Sequence, residues 1–500
     1  MLRILVKLGK WTAIIVLVFL VSLLGIRAWD SQRGDPLAVW QTYVPHELTA
    51  AEINATDWAG YMAAEQRVFD EVKTQVSDRL DASERVMTNR YFEGAPMYPE
   101  HFRHDWNRSY ELAPAGTPVG AVVLIHGLTD SPYSLRDIAE LYREHGFLAI
   151  GLRVPGHGTV PAALTKADWP QWLAATRLAM REARRQVGPN APIHMVGYSN
   201  GGALSLKYTL DACEHSDLTM PTRLVLLSPM IGVTVFARFA GLAGLPALLP
   251  RFAKAAWLDL LPEYNPFKYN SFPVNAARQS YLLTDAIRSQ VLRMAGDQKL
   301  SHLPPILTFQ SVVDDTVSPL AVMRTLYAHV PANGSEIVLF DVNRDRRFDS
   351  LLKASSLTAV NRMLAAGPQA YRTTVLANAT ENDDHTVART TEAGQTATNA
   401  TPLSIMYPAN IFSLSHIALP FPTDDPLYGT DPDMSENYGI RLGTVAPRGE
   451  RGALILSFSD VLRISSNPFY PYVHQRIEAL LPSAAAASPA PTHQPGANGG

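Results

Sequence analysis

An apolar run, Ile193-His194-Met195-Val196, leads directly into Gly197-Tyr198-Ser199-Asn200-Gly201-Gly202, and a helix-like segment from Ala203 to Tyr208 follows. A G-x-S-x-G sequence set between a strand and a helix allows few folds. A serine on so sharp a turn needs glycines beside it, because a Cβ there meets the neighbouring strand and helix, and the turn lifts the hydroxyl above a sheet where a base reaches it. Ser199 is therefore the expected nucleophile, and the rest of the chain is read for the parts such a serine needs.

A serine hydroxyl requires a base to take its proton, an acid to orient that base, and N–H donors for the charge that develops on the reacting carbonyl. The run Ala121 to Ile125 reads as a buried strand and ends in His126-Gly127-Leu128-Thr129-Asp130-Ser131-Pro132. The N–H of Leu128 would pair with that of Asn200, the residue after the nucleophile, as the oxyanion donors. A second core strand, Pro305 to Gln310, ends in Ser311-Val312-Val313-Asp314-Asp315-Thr316-Val317. An acid just past the carboxyl end of a strand is where open α/β sheets place working residues. Asp314 is preferred to Asp315 because Val317 then supplies an apolar residue that holds the loop. The base is sought after the acid, among His329, His385, His416, His474 and His493. His329 is too close to Asp314 in sequence, His385 lies in a polar stretch, His474 on a final amphipathic helix and His493 in a low-complexity tail. His416 lies in a small/apolar run, Ile411 to Pro420, and is the expected base.

Near-continuous apolar strands alternate with helices from residue 121 onward, at 121–125, 148–152, 193–196, 223–228, 305–310 and 336–340. That pattern predicts an α/β fold with a mostly parallel sheet covered by helices on both faces. The expected organisation is a membrane-anchor helix over 1–28, a helical linker and leading segment over 29–110, and a core over 111–230. A lid insertion over 231–300 follows, then core again over 301–377, a polar insertion over 378–402, a C-terminal core part with His416 over 403–482, and a disordered tail from 483. The lid region crowds Phe236, Phe239, Phe252, Trp257 and Leu261 among prolines and glycines. Phe252, Trp257 and, beside the nucleophile, Tyr198 are the expected substrate-contacting residues.

Arg3, Lys7 and Lys10 precede an uncharged stretch from Trp11 to Ile26, which Arg27 closes. No convincing small-x-small cleavage site precedes Arg27, so an uncleaved signal anchor is expected, with the catalytic domain facing the periplasm or exterior. Secretion after cleavage is the alternative. A net charge of −3 and the lack of a basic stripe with interleaved aromatics argue against nucleic-acid binding, and the single cysteine, Cys213, excludes an internal disulfide. No cofactor or metal is expected.

These motifs, in the order Ser199, Asp314, His416, resemble the α/β-hydrolase superfamily, and within it bacterial carboxylesterases and monoacylglycerol lipases, the serine-aminopeptidase-like hydrolases. The His126 to Pro132 segment is similar to that group's His-Gly-aromatic-Thr-Gly-Ser-Pro oxyanion loop, with Asp130 where the family often has glycine. Gly156-His157-Gly158 resembles a second loop over the site, in which the histidine is structural. The resemblance implies a hydrolase without fixing its substrate; the expected function is cleavage of carboxylic esters, with a small-molecule or lipid-like ester as substrate. Peptidase, thioesterase or acyltransferase chemistry on the same residues, and a non-catalytic binding module on the same fold, are the other readings.

Overall fold

The computed structural model describes residues 2–232, 244–345, 348, 351–381, 383–444 and 462–482. Phe236 and Phe239 of the expected lid, His493 and the tail from 483 lie outside these residues. Twelve strands are present among the described residues. They are β1 (Tyr110–Leu112), β2 (Gly120–Ile125), β3 (Phe147–Leu152), β4 (Ile193–Tyr198), β5 (Arg223–Leu227), β6 (Trp257–Asp259), β7 (Phe272–Pro273), β8 (Ile306–Ser311), β9 (Glu336–Phe340), β10 (Arg372–Asn378), β11 (His385–Thr391) and β12 (Thr398–Met406). The seven longer helices are α1 (Leu2–Asp30), α2 (Trp58–Gln75), α3 (Arg136–Glu144), α4 (Trp169–Val187), α5 (Asn200–Glu214), α6 (Val274–Gly296) and α7 (Tyr470–Glu478).

Ten of the strands form one sheet in the order β1-β3-β2-β4-β5-β8-β9-β10-β11-β12, parallel from β3 through β10 and antiparallel at both margins. Every residue of β2, β3, β4, β8 and β9 is buried, which is why these strands read as unbroken apolar runs. One face packs Ile193, Met195, Leu224 and Leu226 against Trp172, Leu178 and Leu204 of α4 and α5, with Leu283 and Ile287 of α6 beyond them. The other face packs Val196, Val225, Leu307 and Phe309 with Ile138 and Tyr142 of α3 and Val473 and Ile477 of α7. Helix starts carry the expected chemistry: Asp57 and Asp168 each accept a backbone N–H of the first turn, from Gly60 and Gln171, both at 2.8 Å, and such a cap stabilises a helix by about 1 kcal/mol.

The linker packs on the body, as its amphipathic pattern implies. Arg153, buried after β3, pairs with Glu65 of α2 at 2.9 Å and with Glu47 at 2.7 Å, and the Tyr61 hydroxyl donates to the Arg153 carbonyl at 2.7 Å. The polar stretch 378–402 is built of strands: its threonine-rich, β-branched composition suits the half-solvated β11 and β12, which widen the sheet. The described part of the segment expected as a lid, 231–300, is not one helical cap. Residues 245–256 form tight turns, β6 and β7 pair as a small ribbon, and α6 belongs to the body, with Leu283, Ile287 and Val291 buried against it.

Candidate active site

Three strand ends meet at the carboxyl edge of the sheet. Ser199 follows β4 with φ 53° and ψ −113°, a conformation rare for a residue with a side chain. The chain around it leaves no alternative. A Cβ on Gly201 would stand 1.8 Å from the Ile125 carbonyl oxygen, and one on Gly197 would stand 2.5 Å from the Gly201 carbonyl oxygen. The turn is fixed from both sides, since the Ser199 N–H donates to the Leu227 carbonyl and the Met230 N–H to the Ser199 carbonyl, each at 2.9 Å.

Asp314 and His416 meet although they lie 102 positions apart: His416 Nδ1 lies 2.8 Å from Asp314 Oδ2. Both side chains are buried. Asp314 also accepts from Ser228 Oγ at 2.9 Å, Gln310 Nε2 at 3.1 Å, and the backbone N–H groups of Thr316 and Val317 at 2.9 and 3.0 Å. Burial alone would raise this carboxyl, but the adjacent imidazole and these donors outweigh it and hold Asp314 below the usual aspartate range. The choice between the two aspartates is thereby geometric. Asp315 points to solvent with 89% of its side chain exposed. An imidazole whose Nδ1–H is committed to a carboxylate presents Nε2 as a bare acceptor, the state a general base needs. Tyr198 links this pair to the elbow. Its ring lies 5.3 Å from that of His416, and its hydroxyl donates to the His416 carbonyl at 3.3 Å. None of the hydrogen bonds among the described residues joins the Ser199 hydroxyl to the imidazole.

The loop after β2 forms the other wall. His126 contacts the Gly127 carbonyl through Nδ1 at 2.8 Å and accepts the Val154 N–H on Nε2 at 3.1 Å, so it is a neutral Nδ1–H tautomer. Burial, then the neighbouring His157, drive its basicity well below the normal imidazole value. His157 is likewise lowered to about 4 by burial and packs edge-on to Trp172, consistent with a structural role. Thr129 takes φ 62°, and its carbonyl accepts the Tyr269 N–H at 2.7 Å, which pins the loop to the segment between β6 and β7. The N–H groups of Leu128 and Asn200 make no hydrogen bond among the described residues. Asn200 opens α5, so its N–H also sits at the positive end of a 15-residue helix. Asp130 is buried, and burial pushes its carboxyl up to about 6.

Of the expected substrate-contacting residues, only Tyr198 lies against these groups. Trp257 is packed instead with Trp40, Tyr91 and Val160, where a large ring fills the space between the linker and the body. Phe252 is half-buried in the turn just before it. Two residues not singled out in the sequence complete the acid's surroundings, Ser228 and Gln310. Their signal was present: each is a polar residue within or ending an apolar strand, at the sheet edge that carries Ser199.

Residues 116–342 match a family model described as serine aminopeptidase, S33. A thermostable monoacylglycerol lipase of Bacillus sp. (strain H-257) is 27% identical over 203 residues, which cover 40% of this chain and 73% of that protein. Among solved structures, a metagenome-derived lipolytic enzyme is 20% identical, with 47% of this chain and 86% of the other covered at a TM-score of 0.37. A soluble variant of monoglyceride lipase from Saccharomyces cerevisiae is 13% identical, with 46% and 81% covered at a TM-score of 0.37. The parallel sheet, the strained serine between β4 and α5 and the family model matched over residues 116–342 lead to one conclusion: this chain has an α/β-hydrolase fold and is similar to bacterial carboxylesterases and monoacylglycerol lipases.

Proposed function

We propose that the protein is a membrane-tethered serine hydrolase that cleaves carboxylic esters through an acyl-enzyme on Ser199. The observation that carries this reading is the buried His416–Asp314 contact at 2.8 Å, made beside a serine held at positive φ. Ser199 Oγ attacks the ester carbonyl carbon while His416 Nε2 takes its proton. Asp314 keeps the imidazole in the Nδ1–H tautomer and stabilises the imidazolium that forms. The negative charge on the carbonyl oxygen is met by the N–H groups of Leu128 and Asn200, neither of which donates elsewhere among the described residues. Collapse breaks the ester C–O bond, and His416 gives its proton to the leaving alkoxide. Water, deprotonated by His416, then attacks the acyl-enzyme, and the acid is released with Ser199 reprotonated. The Ser199–His416 hydrogen bond forms as substrate enters, since such contacts tighten in the Michaelis complex.

The ester reading is preferred to a peptidase because the acids weighed for holding a peptide amine are otherwise engaged or exposed. Glu263 accepts the N–H groups of Asn270 and Ser271, Asp285 pairs with Arg288 one helical turn away, and Asp259 is exposed. The tether is assigned to α1, whose residues Gly9–Asp30 form a helix long and apolar enough to cross a membrane. Labelling with a fluorophosphonate, together with a panel of p-nitrophenyl esters of graded chain length, tests the chemistry. Both signals are expected in the wild type and absent in Ser199→Ala and His416→Ala. A folded Ser199→Ala protein with wild-type turnover would refute the assignment, and folded wild type that neither labels nor turns over would favour a binding module.

A further inference from the structure

The end of α1 is not a free tether. Along α1 from Val21 onward, the half-buried residues are Leu24, Arg27 and Ala28, and Ser31 just beyond the helix is buried. That spacing is one helical stripe. Against it pack the turns at Leu245–Leu248 and Pro250–Ala256. Arg27 donates to the carbonyls of Trp257 at 2.6 Å and Ala255 at 3.3 Å, and Lys254 donates back to the carbonyls of Arg33 and Gly34 at 2.6 and 3.0 Å. The helix and the cap are therefore clamped to each other by reciprocal cation-to-carbonyl bonds.

Depth follows from this clamp. Trp11 and Trp29 are both exposed, and 1.5 Å per residue separates them by about 27 Å, close to the hydrocarbon thickness of about 30 Å. Tryptophans at that spacing mark the two interfaces, and Arg33 lies over the Trp29 ring at 3.5 Å on the body side. Leu24, the innermost residue of the packed stripe, lies about 7.5 Å along the axis from Trp29 toward the membrane centre. A cap that touches α1 there stands at the level of the lipid headgroups and upper acyl chains. The surface it presents is apolar: Leu248 is 80% and Leu249 60% exposed, with Leu245, Leu258 and Leu260 also exposed. Arg251 and Lys254 flank them. Exposed leucines with basic neighbours suit an interfacial membrane contact.

We infer that residues 245–260 dock on the bilayer that holds α1, so that this face of the body is seated in the lipid interface rather than in bulk water. This rests on the tether proposed above and adds a second, orienting contact to it.

The test uses the full-length chain in a Cys213→Ala background, reconstituted in vesicles of phosphatidylcholine and phosphatidylglycerol. Some of the phosphatidylcholine carries a nitroxide near the top of its acyl chain. An environment-sensitive fluorophore is placed in turn at Ile26→Cys, Leu248→Cys and Thr401→Cys, the last on β12. Quenching at 248 is expected to equal that at 26 within about twofold and to exceed that at 401 by about threefold or more, as for a face seated in the headgroup boundary. Quenching at 26 without quenching at 248 would overturn the inference and leave the tether standing. No quenching at either position would overturn both, while leaving ester hydrolysis to be judged by its own assay. Equal quenching at all three would indicate general adsorption and also overturn it.

Discussion

The carboxyl end of the central strands and the far margin of the same sheet are built on opposite terms. Every residue of β4 and β8 is buried, Ser199, Ser228 and Thr129 hold positive φ, and one carboxylate collects five hydrogen bonds. Along β12 most residues face solvent, the backbone is relaxed, and a proline, Pro402, sits in the open edge strand, a position where a missing N–H is tolerated. Strain of this kind costs free energy and persists only where surrounding packing over-determines it. The centre affords that support and the margin does not, so working residues gather at the first and sequence freedom at the second.

The largest effect should come from Asp314→Asn, which keeps the shape but reverses the imidazole's tautomer. Ester turnover is expected to fall by about 10⁴-fold, whereas Asp315→Asn, one residue away and exposed, should leave it unchanged. Steady-state kinetics on a short p-nitrophenyl ester decides this, and equal losses in both would erase the distinction. Next comes Gly201→Ala. With the new methyl 1.8 Å from a backbone oxygen of β2, the elbow must move, and urea melts should show a loss of about 3 kcal/mol or more, or no cooperative fold. A loss under 1 kcal/mol would mean the elbow is more yielding than its geometry implies.

Acid should weaken the centre more gently. Burial lowers both His126 and His157, the latter to about 4. Below pH 6.5 the unfolded chain therefore takes up protons that the native chain refuses. Stability then falls with pH by about 1.4 kcal/mol per unit per group down to the native value. Asp130, raised to about 6 by burial, works in the other direction between that value and the ordinary aspartate range. Melting temperatures measured from pH 7 to 4 should show a flatter decline in His157→Gln and a steeper one in Asp130→Asn. Identical slopes in all three proteins would contradict these assignments. The smallest effect belongs to the margin. Thr401→Lys on β12 should change stability by no more than about 0.5 kcal/mol and leave turnover intact; a loss of several kcal/mol would show that the edge is more deeply integrated than its exposure suggests.

The central parts were legible in the sequence for a physical reason. Strands buried on both faces must be continuously apolar, so their ends, and the polar residues at those ends, stand out. Ser199 and Asp314 were singled out that way and His416 by elimination among the later histidines, and the structure brings the last two into contact. The margin was harder to read. β11 and β12 pair in a half-solvated sheet, where threonine and asparagine replace the apolar runs, and composition alone marks only a polar insertion. The aromatics of the expected lid are hard to read for a related reason. A buried aromatic looks the same in sequence whether it faces a substrate or a neighbouring segment, and Trp257 turned out to fill the gap beside Trp40 and Tyr91. The body helix α6 was hidden inside the same stretch, since its start follows Pro273 without the capping residue that would have announced it.

Between Asp341 and Ile411 the chain leaves the middle of the sheet, lays down β10 to β12 and returns to deliver His416. Asn343 closes the neck of that excursion: its amide donates to the Ile411 carbonyl at 2.9 Å, its backbone N–H to the Phe412 carbonyl at 2.9 Å, and its side-chain oxygen accepts from Asn378 at 3.0 Å. With the neck stapled, the length of what lies beyond it is uncoupled from the position of the imidazole, because lengthening a closed loop costs only a logarithm of its size. An insertion in the turn between β11 and β12 is therefore expected to leave the His416–Asp314 contact in place.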